Sequence, residues 1–97
     1  MATIEKTKNL LSEIKGDLRG RFKVKEIGIF GSLVRKEQTK RSDIDLLVDF
    51  DKGATLLDLS GLALYLEERL AQKVDIVSKK TLRKEIKHNV LKEVIFL

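Results

Sequence analysis

The chain has 97 residues, 42% hydrophobic and 36% charged, with no cysteine and a formal net charge of +5. That length suits a single domain, 1–97, burying about two-thirds of its unfolded surface. The composition excludes disulfides and thiolate metal centres, and no apolar run approaches the roughly 20 residues of a membrane span.

The opening "MATIEKTKN" has no apolar signal region, so an intracellular, cytoplasmic protein is expected. Residues 3–19 place Ile4, Leu10, Leu11, Ile14 and Leu18 at helical spacing. Thr3 is the expected N-cap, and Gly16 and Gly20 weaken the last turns. "KVKEIGIF" (23–30) reads as a strand ended by Gly31, followed by a short helix over 32–38 and a loop over 39–42. "DIDLLVDF" (43–50) is a strand with Ile44, Leu46, Val48 and Phe50 on one face, and 51–54 is a turn. Residues 55–72 form an amphipathic helix carrying Leu56, Leu59, Leu62, Ala63, Leu66 and Leu70. "KVDIVS" (73–78) is a third strand, and 81–96 reads as a final helix capped by Thr81. This alternation predicts an α/β domain with helices layered on a small sheet.

Two carboxylates at the head of an apolar strand need a physical reason. Residues i and i+2 of a strand share a face, so Asp43 and Asp45 lie together while Ile44 points to the core. Held that close, they repel and raise one another's pKa unless a cation lies between them. A hard ion such as Mg²⁺ fits, taking one or two carboxylates plus water and phosphate oxygens. Asp75, inside "KVDIV", stands where a strand core prefers an apolar residue, and reaches the same site if its strand adjoins 43–50. Singly, each aspartate has an ordinary reading: a turn cap, a lysine partner, a strand edge. The three together favour a site. Asp49 shares the nominal face of Asp45 but lies about 13 Å further along, where it meets solvent.

Upstream, Gly31 follows a strand and precedes a helix, a place where backbone N–H groups can approach a phosphate. Ser32 adds a hydroxyl, and Arg35 falls one helical turn later. A Gly-Ser after a strand is common, and neither familiar glycine-rich phosphate loop is present.

"GS" at 31–32, ten intervening residues and "DID" at 43–45 together resemble the signature of the nucleotidyltransferase (DNA polymerase β-like) superfamily. Asp75 resembles its third carboxylate. The small size and the "VDIVSKKTLRKEIKHNVLKEVIFL" ending are similar to the minimal nucleotidyltransferase (MNT) antitoxins. The resemblance implies a mixed β-sheet flanked by helices, with ATP as substrate and Mg²⁺ as cofactor. It implies that Gly31, Ser32 and Arg35 hold the phosphates. Asp43, Asp45 and Asp75 would bind metal and serve as the catalytic carboxylates, with Asp75 polarising or deprotonating the attacking hydroxyl. It further implies a HEPN-domain toxin as partner, AMPylated on tyrosine with release of pyrophosphate. Where that family often has "GSxARGE", this chain has "GSLVRKE", with Val34 for alanine and Lys36 for glycine.

Outside that motif, His88 reads as a surface or packing residue and Tyr65 as core. Residues 79–92 carry six Lys or Arg against one Glu, a basic face that is solvated or turned to a partner. Lys79, Lys80 and Arg83 follow the Asp75 strand and are placed to reach a triphosphate. The apolar "VIFL" ending suggests docking on the sheet or on a partner. Two other classes compete: a non-catalytic module that masks the toxin sterically, and an RNA-binding module. The second lacks stacking residues, with four Phe and one Tyr in the whole chain.

Overall fold

The computed structural model describes residues 3–39 and 41–97. Residues 1, 2 and 40 lie outside it, so the expected loop 39–42 is described only at 39, 41 and 42.

Helix α1 (Ile4–Phe22) is capped by Thr3, whose side chain accepts the Lys6 N–H. It runs through Gly16 and Gly20, three residues past the expected end. Tertiary burial of Leu11, Ile14, Leu18 and Phe22 outweighs the propensity cost of about 1 kcal/mol per glycine. Strand β1 (Val24–Phe30) leads to a one-turn helix α2 (Ser32–Arg35), shorter than expected because Lys36 turns left-handed at φ 60°. Strand β2 (Ile44–Phe50) begins one residue after Asp43. Helix α3 (Leu56–Leu70) opens on a reciprocal capping box between Thr55 and Asp58. Strand β3 (Val74–Ser78) and a 3₁₀ turn (Lys79–Thr81) precede helix α4 (Lys84–Glu93) and strand β4 (Ile95–Phe96).

The expected final helix over 81–96 is therefore corrected at both ends. Thr81 caps nothing; its hydroxyl donates to the Ser78 carbonyl at 3.3 Å, and Arg83 occupies the N-cap position without a side-chain bond. At the other end Ile95 and Phe96 pair antiparallel with Ile29 and Gly28. Gly28 permits this, since a Cβ there would come within 2.6 Å of Val94 Cγ2 and 2.9 Å of Phe96 Cδ1. The docking of "VIFL" on the sheet holds.

The strand order is β3-β2-β1-β4, antiparallel at β1/β2 and β1/β4 and parallel at β2/β3. This is the mixed sheet with helices that the sequence implied. The β2–α3–β3 unit supplies the long crossover that parallel strands need. On one face, α1 and α3 bury Leu62, Leu66 and the α1 residues against Ile27, Ile29, Ile44, Leu46, Val48 and Phe50. Leu56, expected on that stripe, is 81% exposed: it lies in the first turn of α3, overhanging a cleft beside Phe50 and Ser78. Tyr65 packs against the core edge, its ring 5.3 Å from that of Phe22 and flanked by the Arg21 and Arg69 guanidinium groups. Strand alternation gives the other face to Gly28, Phe30, Asp45, Leu47, Asp75 and Val77. Helix α4 lies over it, and Leu47 and Val90 are both buried. Among the described residues, no helix is long and apolar enough to cross a membrane.

Candidate active site

The ladder itself assembles the site. Antiparallel pairing sets Phe30 opposite Asp45, so Gly31 emerges beside that carboxylate, and parallel pairing sets Asp45 opposite Asp75. Neighbouring strands lie about 4.7–4.9 Å apart, so the two carboxylates stand side by side on one face. Asp43, two residues before Asp45, lies just ahead of the strand, is exposed, and is near enough for its charge to act on Asp45. Its segment is tied down: Gln72 Nε2 donates to the Ser42 carbonyl at 2.9 Å, and the Ile44 N–H donates to the Lys73 carbonyl at 3.0 Å. The start of β3 is pinned where the Val74 N–H donates to Glu67 at 3.1 Å.

Gly31 has φ 78° and ψ −150°, a region open essentially to glycine alone. A Cβ there would lie 2.8 Å from Asp45 Cγ and still closer to Oδ2. The absence of a side chain is what lets carboxylate and backbone meet. The Ser32 backbone N–H donates to Asp45. Burial first, then the Asp75 charge, pushes the Asp45 carboxyl above the ordinary carboxylate range, with a smaller push from Asp43. The Ser32 N–H and, more weakly, Arg35 oppose this.

Asp45, Asp75, Gly31 and Arg35 line one cavity of about 400 Å³ beneath α4. Among the described residues, no three acidic or imidazole groups already converge at metal-ligand spacing. The donor set still suits a hard cation: all oxygen, two facing carboxylates, and one of them made costly to ionise by burial and then by the Asp75 charge. His88 is exposed on α4. Lys79 and Lys80 do not reach the cavity; Lys79 pairs with Glu26 at 3.5 Å and Lys80 donates to the Phe50 carbonyl, both at the far end of the sheet. Asp49 is half-buried at that same end, beside Lys25 and Lys80.

The residue that sequence reasoning missed is Glu93. It accepts the Gly31 N–H at 3.0 Å and Arg35 Nη1 at 2.7 Å. Arg35 also holds Glu37 at 3.1 Å. The Glu93 bond chiefly, then that to Glu37, raises the Arg35 guanidinium above its ordinary value. The one available signal was a lone acid inside the apolar "LKEVIFL".

A family model for the nucleotidyltransferase domain matches residues 11–97. The chain belongs to that family. This nucleotidyltransferase is 44% identical to a protein adenylyltransferase, MntA, of Thermococcus cleftensis, over 100% of this chain and 98% of that one. It superimposes on a solved structure described as a candidate minimal nucleotidyltransferase with TM-score 0.85 and 38% identity, covering 99% of this chain and 97% of that one. A solved toxin–antitoxin complex of MntA aligns with TM-score 0.68 and 25% identity, over 89% of this chain and 68% of that one.

Proposed function

We propose that this nucleotidyltransferase is an antitoxin that transfers AMP from ATP to a tyrosine hydroxyl of a HEPN-domain toxin, releasing pyrophosphate. The observation that carries the proposal is the register pair Asp45–Asp75 set beside Gly31. The adenylyltransferase relative supports the transferred group, and the MntA toxin–antitoxin complex supports the class of partner.

In this reading Gly31 and Ser32 hold the triphosphate, Gly31 through its backbone N–H and Ser32 through its hydroxyl, while Arg35 neutralises phosphate charge. Asp43, Asp45 and Asp75 hold Mg²⁺. Bound Mg²⁺ supplies charge neutralisation at the phosphates. Asp75, exposed at the cavity rim, accepts the proton of the acceptor hydroxyl. The acceptor oxygen bonds the α-phosphorus, and the bond to pyrophosphate breaks. Catalysis is positioning and electrostatics rather than a covalent enzyme intermediate. The unit 1–97 acts as one domain, and an ATP donor places the reaction in the cytoplasm.

The test incubates the protein with labelled ATP, Mg²⁺ and the toxin. Asp43→Asn/Asp45→Asn is expected to lose labelling by at least about 100-fold. Labelling at the parental rate by a folded double variant refutes the site. Full protection of cells by that variant points instead to steric masking.

A further inference from the structure

The loop that presents Gly31 already carries an anion. Glu93, the last residue of α4, spans two donors, taking the Gly31 N–H on Oε2 and Arg35 Nη1 on Oε1. Both donors are groups that a triphosphate would use. A carboxylate offers two oxygens in a plane and matches an arginine in the way a phosphate does. Glu93 also lines the same cavity as Asp45 and Asp75, and its side chain is 20% exposed, so its carboxylate stands at the mouth.

One N–H cannot serve both Glu93 and a phosphate oxygen, and two anions in contact in a partly desolvated cleft repel. Release requires little else to move. Glu93 is followed by Val94, which has already left the helix at φ −61° and ψ 138°, and Arg35 keeps Glu37 as a second anchor.

We propose that Glu93 is a further determinant of the nucleotide site: it occupies the Gly31–Arg35 anion seat in the free protein and is displaced when a triphosphate binds. This rests on the nucleotide-binding reading above. Glu93 thereby lowers affinity for anything carrying phosphates and leaves recognition of the nucleoside untouched.

The test is calorimetric titration of the parent protein and Glu93→Gln with ATP in Mg²⁺, with inorganic tripolyphosphate, and with adenosine. Glutamine keeps the shape and an accepting oxygen but removes the charge. The ATP and tripolyphosphate Kd values are expected to fall about five- to thirty-fold, the difference between charge-assisted and neutral hydrogen bonds, with adenosine unchanged. Glu93→Asp, one methylene too short to span both donors, is expected to tighten binding in the same direction. Unchanged or weaker ATP binding in the folded variants overturns the inference and makes Glu93 a brace for the loop. Absence of ATP binding by parent and variants alike overturns the nucleotide site itself, and this inference with it.

Discussion

Replacing Gly31 by alanine tests the close approach on which the site depends. The backbone at φ 78° and ψ −150° costs a residue with a Cβ about 1–3 kcal/mol. The new Cβ would also lie 2.8 Å from Asp45 Cγ. Carbon–carbon contacts sit at about 3.5–4.0 Å, so the carboxylate must retreat by about 0.7–1.2 Å. A misplacement of about 1 Å at a reacting centre costs on the order of 100-fold in rate. Gly53 is the control: it has φ 86°, but the nearest atom to a Cβ there is Lys23 Nζ at 3.7 Å. Gly53→Ala should therefore lose about 1–2 kcal/mol, some 4–16 °C in Tm, and keep its transfer rate. Gly31→Ala should lose comparable stability and about 100-fold in rate. Thermal melts by circular dichroism and initial labelling rates decide the matter. Equal rates for the two variants would refute the claim that Gly31 exists to admit the Asp45 carboxylate.

Other outcomes follow from the same geometry. The Asp45 pKa is raised on folding, so its contribution is fully present below the unfolded carboxylate pKa and lost as pH rises through the folded one. In EDTA at pH 8, Asp45→Asn should accordingly melt higher than the parent protein, and the difference should vanish near pH 3. Lys36→Gly removes left-handed strain of about 1–2 kcal/mol against about 0.5–1 kcal/mol of added chain entropy. A small net gain, under about 1.5 kcal/mol, should appear in denaturant melts. Gly28→Val drives a side chain into Val94 and Phe96, so β4 should detach, at a cost of about 1–3 kcal/mol and with faster amide exchange at Leu97, whose N–H donates to the Ile27 carbonyl.

Much of this molecule was legible because its signals are local. The Thr3 cap, the period-2 pattern of β2 and the long stripe of α3 each predict their element from neighbours within a few residues. Asp75 was legible for the opposite reason, as a charge where a strand wants none, and its register against Asp45 follows once α3 carries the chain back parallel. The final segment was not legible. Val90 and Val94 keep helical spacing, and a two-residue strand is too short to show alternation. What ends the helix is the open edge of β1 at Gly28, more than sixty positions earlier. Glu93 escaped for the same reason: its partners Gly31 and Arg35 lie 62 and 58 residues away, and no local pattern encodes that meeting. Leu56 shows the limit of periodicity alone, since spacing cannot say where the sheet beneath a helix begins.

The central claim is nucleotidyl rather than phosphoryl transfer at the Gly31–Asp45–Asp75 cleft. It is tested most directly by offering the protein and the proposed HEPN-domain toxin ATP labelled in parallel at the α- or the γ-phosphate, with Mg²⁺. The α-label should pass to the toxin and the γ-label should leave as pyrophosphate, both lost in Asp45→Asn. Transfer of the γ-label, or α-labelling that survives Asp45→Asn, would contradict the account.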